Sequence, residues 1–185
     1  MTTIDLGGAG EPLSAADAKA WARIDRDDED TLIAALVTAA RETIEAATGL
    51  ALSQRRFRLS LDPVPPFGWV EATRHPLVSI DTVTAFGADG MPRAFETQDA
   101  VIERALGLEA IRLSPAVRQA AANGVEIEFT AGFAAGEVPE NLLLALKTIV
   151  AASYETRSAV SLTMQPALMP PLAERLIAPY RRMRV

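Results

Sequence analysis

The sequence contains no cysteine and a single histidine, His75. Without thiols there is no disulfide framework and no thiolate nucleophile. A lone histidine has no second imidazole with which to build a metal site. A hydrolase that used His75 would need a serine in the sharp strand-to-helix turn that exposes a nucleophile, and no serine has that context. The sequence therefore gives no positive case for an enzyme, and it implies no cofactor and no metal.

Long apolar runs, a secretory leader and an excess of basic charge are also missing. No stretch reaches the roughly 18 uninterrupted apolar residues of a membrane span. The opening MTTIDLGGAGEP lacks the basic region and apolar core of a signal peptide, and we interpret it as a flexible lead. The net charge of −6 argues against nucleic acid as the main partner, because phosphate binding needs a basic surface. We expect a cytoplasmic location and no membrane partner.

What is present is the composition of a globular protein. Hydrophobic residues make up 49% of the 185 residues and charged residues 23%. This length predicts a single domain spanning residues 1–185.

The most informative stretch is PENLLLALKTIVAASYETR, residues 139–157. Proline suits the first turn of a helix, and helical spacing follows it. An ordinary surface helix has one apolar stripe, whereas this one is apolar around most of its circumference. We therefore predict that it is covered on more than one side, by the core or by a neighbouring subunit. The residues predicted to form this core or subunit-interface surface are Leu142, Leu143, Leu146, Ile149, Val150 and Tyr154.

Two further helices are predicted near the beginning of the chain. Ser14 can cap a short helix that runs to about Arg23, with Asp17 completing a capping box and Trp21 pointing inward. A second helix is predicted from about Asp28 to Thr48, where a glycine follows. The acidic run between them, residues 25–30, lacks the glycine and final glutamate of a calcium-binding loop. We interpret it as the start of the second helix and predict that it binds no metal.

From residue 55 the hydrophobic period changes from 3.6 to 2. Phe57, Leu59 and Leu61 alternate with polar residues, and Val125-Glu126-Ile127-Glu128-Phe129 does the same. Glu126 and Glu128 share one strand face, and we interpret them as exposed, solubilising acids. Residues 55–130 are therefore predicted to form a small antiparallel β insert. The predicted fold class is α+β: a mainly helical core of about four helices that carries this insert.

The C-terminus reverses the overall charge. Residues 170–185 are predicted to form a short helix followed by an arm that is rich in arginine. A solvated, frayed end would explain this composition, and so would an arm that docks on a partner through arginine and tyrosine. The residues of the arm are Tyr180, Arg181, Arg182, Met183, Arg184 and Val185.

Three segments in this order resemble the head–tail connector, or adaptor, proteins of long-tailed phages. The first is LSAADAKAWARIDRDDEDTLIAALVTAARETIEAATGLAL, residues 13–52; the second is VEIEFTAGF followed by VPENLLLALKTIVAASYETR; the third is the ending IAPYRRMRV. The sequence is equally similar to the adaptor of gene transfer agents, which are phage-derived particles made by bacteria. Each motif is weak alone, and their order and spacing carry the resemblance.

The resemblance implies a structural protein in the neck of a phage-like particle. Such adaptors form a ring, usually twelvefold, between the portal protein and the stopper or tail-terminator proteins. DNA only passes through the lumen, and the C-terminal segment typically reaches into the portal. The resemblance thus implies self-association and portal binding by the arm at 180–185.

One alternative function belongs to a different class. The chain could be a small-molecule or peptide-binding module with its pocket between the helices and the β insert. A divergent hydrolase using His75 is a third reading. Association with a particle or a portal protein separates the adaptor from both.

Overall fold

The computed structural model describes residues 1–8, 10–105, 108–159 and 169–181. The chain divides into two compact units, each built from two segments. The first unit contains Met1–Ala9 and Gln54–Phe133, and the second contains Gly10–Ser53 and Ala134–Val185. In chain order the helices are α1 (Ala15–Ala22), α2 (Asp30–Thr48), α3 (Pro115–Ala120), α4 (Glu140–Ala159) and α5 (Pro171–Ile177). The strands are β1 (Thr2–Gly8), β2 (Arg55–Leu61), β3 (Trp69–Glu71), β4 (Leu77–Phe86), β5 (Pro92–Phe95), β6 (Ala100–Ala105), β7 (Leu108–Leu113) and β8 (Val125–Ala131).

The second unit is helical and contains α1, α2, α4 and α5. The hydroxyl of Ser14 accepts a hydrogen bond from the backbone N–H of Asp17 at 3.0 Å, which confirms the predicted cap of α1. Gly49 ends α2 with a φ of 75°, a left-handed conformation that favours glycine. Ile33, Val37, Ala40 and Ile44 recur at helical spacing along α2 and are buried. Capping and periodicity thus predicted both helices.

Trp21 was predicted to point inward, and this prediction is wrong. Its side chain is 50% exposed, and the ammonium group of Lys147 on α4 lies 5.8 Å from its ring centroid. A cation over an indole face stabilises a partly exposed ring without burying it.

The first unit contains a five-stranded antiparallel sheet in the order β1-β2-β8-β4-β5. Phe57 and Leu59 on β2 are opposite Phe129 and Ile127 on β8, and all four are buried. The rings of Phe57 and Phe129 stack with centroids 5.7 Å apart. The intervening residues form the outer, polar face of this sheet, as the period of two requires.

A second, three-stranded antiparallel sheet in the same unit has the order β3-β7-β6. Ile111 and Leu113 on β7 are fully or almost fully buried. The hydrogen bond from the Arg104 guanidinium on β6 to the Leu77 carbonyl on β4, at 2.7 Å, joins the two sheets.

The prediction of a mainly helical core with a small β insert is wrong, because it underestimates the strand content. The protein is 38% helical and 31% strand, and the described residues contain five helices and two sheets. β6 and β7, which lie within the predicted insert, are six-residue strands that pair along their whole length. The expected flexible lead is also wrong in part, because residues 2–8 form β1 at one edge of the larger sheet.

The proline-rich connection between β2 and β3 is held firmly at its end. Gly68 donates to the Pro65 carbonyl and accepts from the Leu113 backbone N–H, both at 2.8 Å. With a φ of 71°, Gly68 has a conformation that side chains rarely adopt, and a Cβ there would lie 2.7 Å from the Leu113 carbonyl oxygen. The loop exposes Phe67, which is 87% accessible.

Candidate functional site

Helix α4 belongs to the second, helical unit, and most of its predicted core or subunit-interface residues face the core of that unit. Four of the six residues predicted to form the core or subunit-interface surface are buried, namely Leu142, Leu146, Ile149 and Val150. Leu143 is half-buried. These positions serve the core of a single copy, and a role in contacts between subunits stays a prediction.

Tyr154 lies on the same helix and is half-buried. Its phenol donates a hydrogen bond to the carboxylate of Glu29, the residue that immediately precedes α2. This contact ties the C-terminal half of α4 to the beginning of α2. A hydrogen bond from a phenol to a carboxylate is charge-assisted and is therefore stronger than one between neutral groups.

The C-terminal arm is described only at its beginning. Tyr180 is half-buried and closes a 3-10 turn, Ala178–Tyr180, that continues α5. Arg181 is exposed, and its guanidinium lies 4.0 Å from the carboxylate of Glu174, a loose surface ion pair. The remaining predicted arm residues, Arg182, Met183, Arg184 and Val185, lie outside the described residues.

The acidic run before α2 is engaged in ion pairs. The ammonium group of Lys19 lies 2.7 Å from Asp27 and 2.5 Å from Asp30, and Arg26 contacts Asp28 through two hydrogen bonds. The hydrogen bond from Arg26 lowers the pKa of Asp28. Within residues 1–8, 10–105, 108–159 and 169–181, no group of three potential metal ligands comes together.

Glu128 lies at the centre of the charged outer face of the larger sheet. Its carboxylate accepts hydrogen bonds from Arg58 at 2.7 Å and from Arg56 at 2.8 Å. The Arg58 hydrogen bond lowers the pKa of Glu128, and partial burial opposes this effect. The interpretation of Glu128 as an exposed acid is wrong, since only 16% of its side chain is accessible. Because the pKa is lowered, this carboxylate stays ionised and is unsuited to donate a proton.

His75 is buried, with 7% of its surface accessible. A cavity of about 300 Å³ lies elsewhere in the β unit, between the proline-rich loop and α3. Its lining includes Asp62, Pro65, Pro115 and Arg118. The residues that line this cavity in the described part of the chain include no histidine and no serine.

One edge strand of the five-stranded sheet, β1, was missed by the sequence reasoning, which interpreted this segment as a flexible lead. β1 and β5 each pair on one side only among the described residues. The alternation in Thr-Ile-Asp-Leu was the available signal for β1, although neither of its faces is apolar throughout. An unpaired strand edge is a surface that can accept another strand.

Comparison with solved structures defines the class of fold. A chain of the structure "Virion of native gene transfer agent (GTA) particle" aligns with a TM-score of 0.79 and 24% sequence identity, covering 100% of this chain and 97% of that chain. A chain of "Neck of empty GTA particle computed with C6 symmetry" gives the same values. A chain of "Neck of native GTA particle computed with C12 symmetry" aligns with a TM-score of 0.75 and 23% identity over the same shares. The complete fold is therefore that of a chain found in these particles.

The sequence itself gives a second, independent match. Residues 14–82 match the family model described as "Phage gp6-like head-tail connector protein". The matched region runs from the cap of α1 into β4. No curated protein matches the chain. In the part of the chain that the structure describes, no helix has the length and apolar character needed to span a membrane.

Proposed function

We propose that this protein is a structural head–tail connector that forms a ring in the neck of a phage-like particle. The similarity of fold over the whole chain to chains of gene transfer agent particles carries this proposal. The family match at residues 14–82 supports it independently, because it rests on sequence rather than on backbone shape. The resemblance of the ending IAPYRRMRV to adaptor C-termini is a third, local argument.

The ring would have twelve copies, by analogy with the C12 symmetry of one similar structure. It would lie between the portal protein and a stopper or tail-terminator protein, with DNA passing through its lumen. A net charge of −6 suits a channel wall along which DNA slides without binding. A structural role requires no catalytic group, in keeping with the expectation drawn from the sequence.

The C-terminal arm would attach the ring to the portal. Arg181 is exposed and only loosely paired, so it is accessible to an acidic partner. Tyr180 and Met183 would add apolar contact beside the guanidinium groups. Contacts of a short arm are weak individually, but repetition around the ring makes attachment strong through avidity.

Truncation of the arm tests this function. Because Tyr180 is half-buried in its 3-10 turn, the truncation removes residues 181–185 and leaves Tyr180 in place. The truncated chain should keep its melting temperature, yet particles carrying it should fail to join heads to tails. Arg175→Ala is the matched control, because it removes an exposed arginine from α5 outside the arm.

Two outcomes would contradict the proposal at different levels. Normal yields of tailed particles with the truncated chain would show that the portal contact lies elsewhere. Absence of the intact chain from purified particles, together with failure to bind purified portal protein, would reject the connector function itself.

A further inference from the structure

The five-stranded sheet has two edges of different character. β1 has seven residues and contains neither proline nor lysine, the residues that commonly protect an edge. Its Ile4 and Leu6 side chains are 51% and 40% exposed. β5 has four residues and begins with Pro92. Among the described residues the long edge is therefore open to strand addition, and the short edge offers only a few backbone groups.

We propose that β1 of one copy pairs with β5 of the neighbouring copy, so that the sheets of successive subunits join around the ring. This inference rests on the proposed ring-forming function and names the surface that closes the ring. A ring needs a heterologous contact, in which two different surfaces of the chain meet. Pairing of β1 with a second β1 would use one surface twice and would close as a dimer.

The directions of the strands fix the direction of this pairing. Every neighbouring pair in the sheet is antiparallel, and the sheet has five strands. β1 and β5 therefore run in the same direction. Neighbouring copies in a twelvefold ring differ by a small rotation, which nearly preserves strand direction. The joint between copies is consequently a parallel pair.

Side chains on the outer face agree with this joint. Ile4 is opposite Arg58, which points to the polar outer face of the sheet. Ala94 is opposite Thr84, and Thr84 is opposite Glu126 on the same outer face. Ile4, Ala94 and Pro92 therefore share the outer face, so that in the joined sheet Ala94 or Pro92 can cover an apolar side chain that is half exposed in the single copy.

The inner face brings opposite charges to the same joint. Arg93 on β5 is exposed, and its guanidinium lies over the Phe95 ring at 5.1 Å. It has no carboxylate partner among the described residues. Asp5 on β1 bonds Arg55, but 40% of its side chain remains accessible. A neighbouring Arg93 can therefore approach Asp5, which gives the two edges complementary charge.

The other strand edges of the chain are less suitable partners for β1. β3 has only three residues. β6 lies beside β4, to which Arg104 is hydrogen-bonded within the same copy. Among the described strands, β5 is the remaining free edge that differs from β1.

Cysteine cross-linking tests the joint directly, because the natural chain contains no cysteine. The double variant carries Ile4→Cys and Ala94→Cys, both at exposed positions. Within one copy these residues lie on opposite edges, about 19 Å apart across four strand spacings. A thiol reagent with a shorter reach can therefore link only different copies. Assembled necks should yield a ladder of covalent oligomers that ends at the complete ring.

The matched control pairs Ile4→Cys with Val101→Cys. Val101 lies on β6 and is 53% exposed, so its thiol is equally accessible but belongs to the edge that we exclude. This control should yield no ladder. A ladder from the control, or only monomers from the Ile4/Ala94 variant in assembled necks, would overturn the joint while leaving the connector function intact. A chain that enters no neck and forms no ring would reject both.

A second variant avoids dependence on cross-linking. Ile4→Lys places a charge on the open edge and should reduce ring formation at least tenfold without changing the melting temperature. Val78→Lys, at a β4 position that is 46% exposed, is the control for an added surface lysine and should assemble normally. Ring formation by Ile4→Lys at the yield of the natural chain would contradict the proposal.

Discussion

Arg41 and Glu45, one turn apart on α2, form an ion pair at 3.0 Å in which their side chains are only 10% and 5% exposed. Glu45 also accepts a hydrogen bond from the backbone N–H of Leu52 at 2.8 Å. Arg41 in turn contacts Glu11 at 2.8 Å. The buried carboxylate of Glu45 therefore shares a buried cation with Glu11 and also fixes the segment that follows α2.

We predict that Glu45→Ala lowers the free energy of unfolding by about 1–3 kcal/mol, because it leaves the backbone N–H of Leu52 without this acceptor and removes one partner of Arg41, which keeps Glu11. Chemical denaturation measures the loss. Glu42→Ala removes a 66% exposed carboxylate from the same helix and should cost less than about 0.5 kcal/mol. Equal losses of unfolding free energy in the two variants would show that the buried Arg41–Glu45 pair contributes no more to stability than an exposed carboxylate does.

Leu146→Ala should destabilise the protein by roughly 2–5 kcal/mol, since the fully buried side chain leaves a cavity in the helical unit. Ile149→Ala, at a position 7% exposed, should fall in the same range. Leu172→Ala is the control, because this leucine is 52% exposed. Chemical denaturation measures the loss. If both α4 variants lost less than about 1 kcal/mol of unfolding free energy, Leu146 and Ile149 would not belong to the core.

Acid pH should destabilise the first unit, which contains the two sheets, in part through protonation of Glu128. Its pKa is lowered from the ordinary 4.5 by the hydrogen bond from Arg58. A lowered pKa in the folded state means that the contribution is complete above the ordinary value and is lost as the pH falls through the lowered value. Glu128→Gln should therefore show a shallower loss of stability below pH 4.5 than the natural chain.

Glu137→Gln, at an exposed position, provides the comparison for this pH experiment. It should keep the acid dependence of the natural chain. If Glu128→Gln and Glu137→Gln gave the same slope of stability against pH, the Arg58 contact would not contribute to acid sensitivity.

The acidic run before α2 should bind no divalent cation tightly. Lys19 occupies Asp27 and Asp30, and Arg26 occupies Asp28, so a cation would have to displace these pairs. Calorimetric titration with calcium or magnesium should give no saturable site of micromolar affinity. A defined site of that affinity, abolished by Asp27→Asn, would refute this interpretation.

The sequence predicted the elements that have a strong local signal. Ser14, Gly49 and the alternation around Phe57 each act through neighbouring residues, and the structure has α1, α2 and β2 where they indicate. The family resemblance likewise rested on segments whose order is readable without a structure.

The first strand, β1, could not be predicted in the same way, and β6 and β7 had only a weak local signal. β1 contains two glycines and has no buried face, so its conformation depends on pairing with β2, about 50 residues away in the sequence. β6 and β7 carry mixed patterns that become strands through their mutual pairing. Such long-range partners are absent from any local window of sequence, and this is why the helical content appeared to dominate.

The central position of β8 has a consequence for the order in which the chain can fold during synthesis. β8 pairs with both β2 and β4, yet it is the last of the eight strands to leave the ribosome. The hairpins β4–β5 and β6–β7 have local partners and can form early, although isolated hairpins are only marginally stable in water. The larger sheet therefore cannot be completed until β8, Val125–Ala131, has been synthesised. Before that point β2 and β4 both lack β8 as their neighbouring strand.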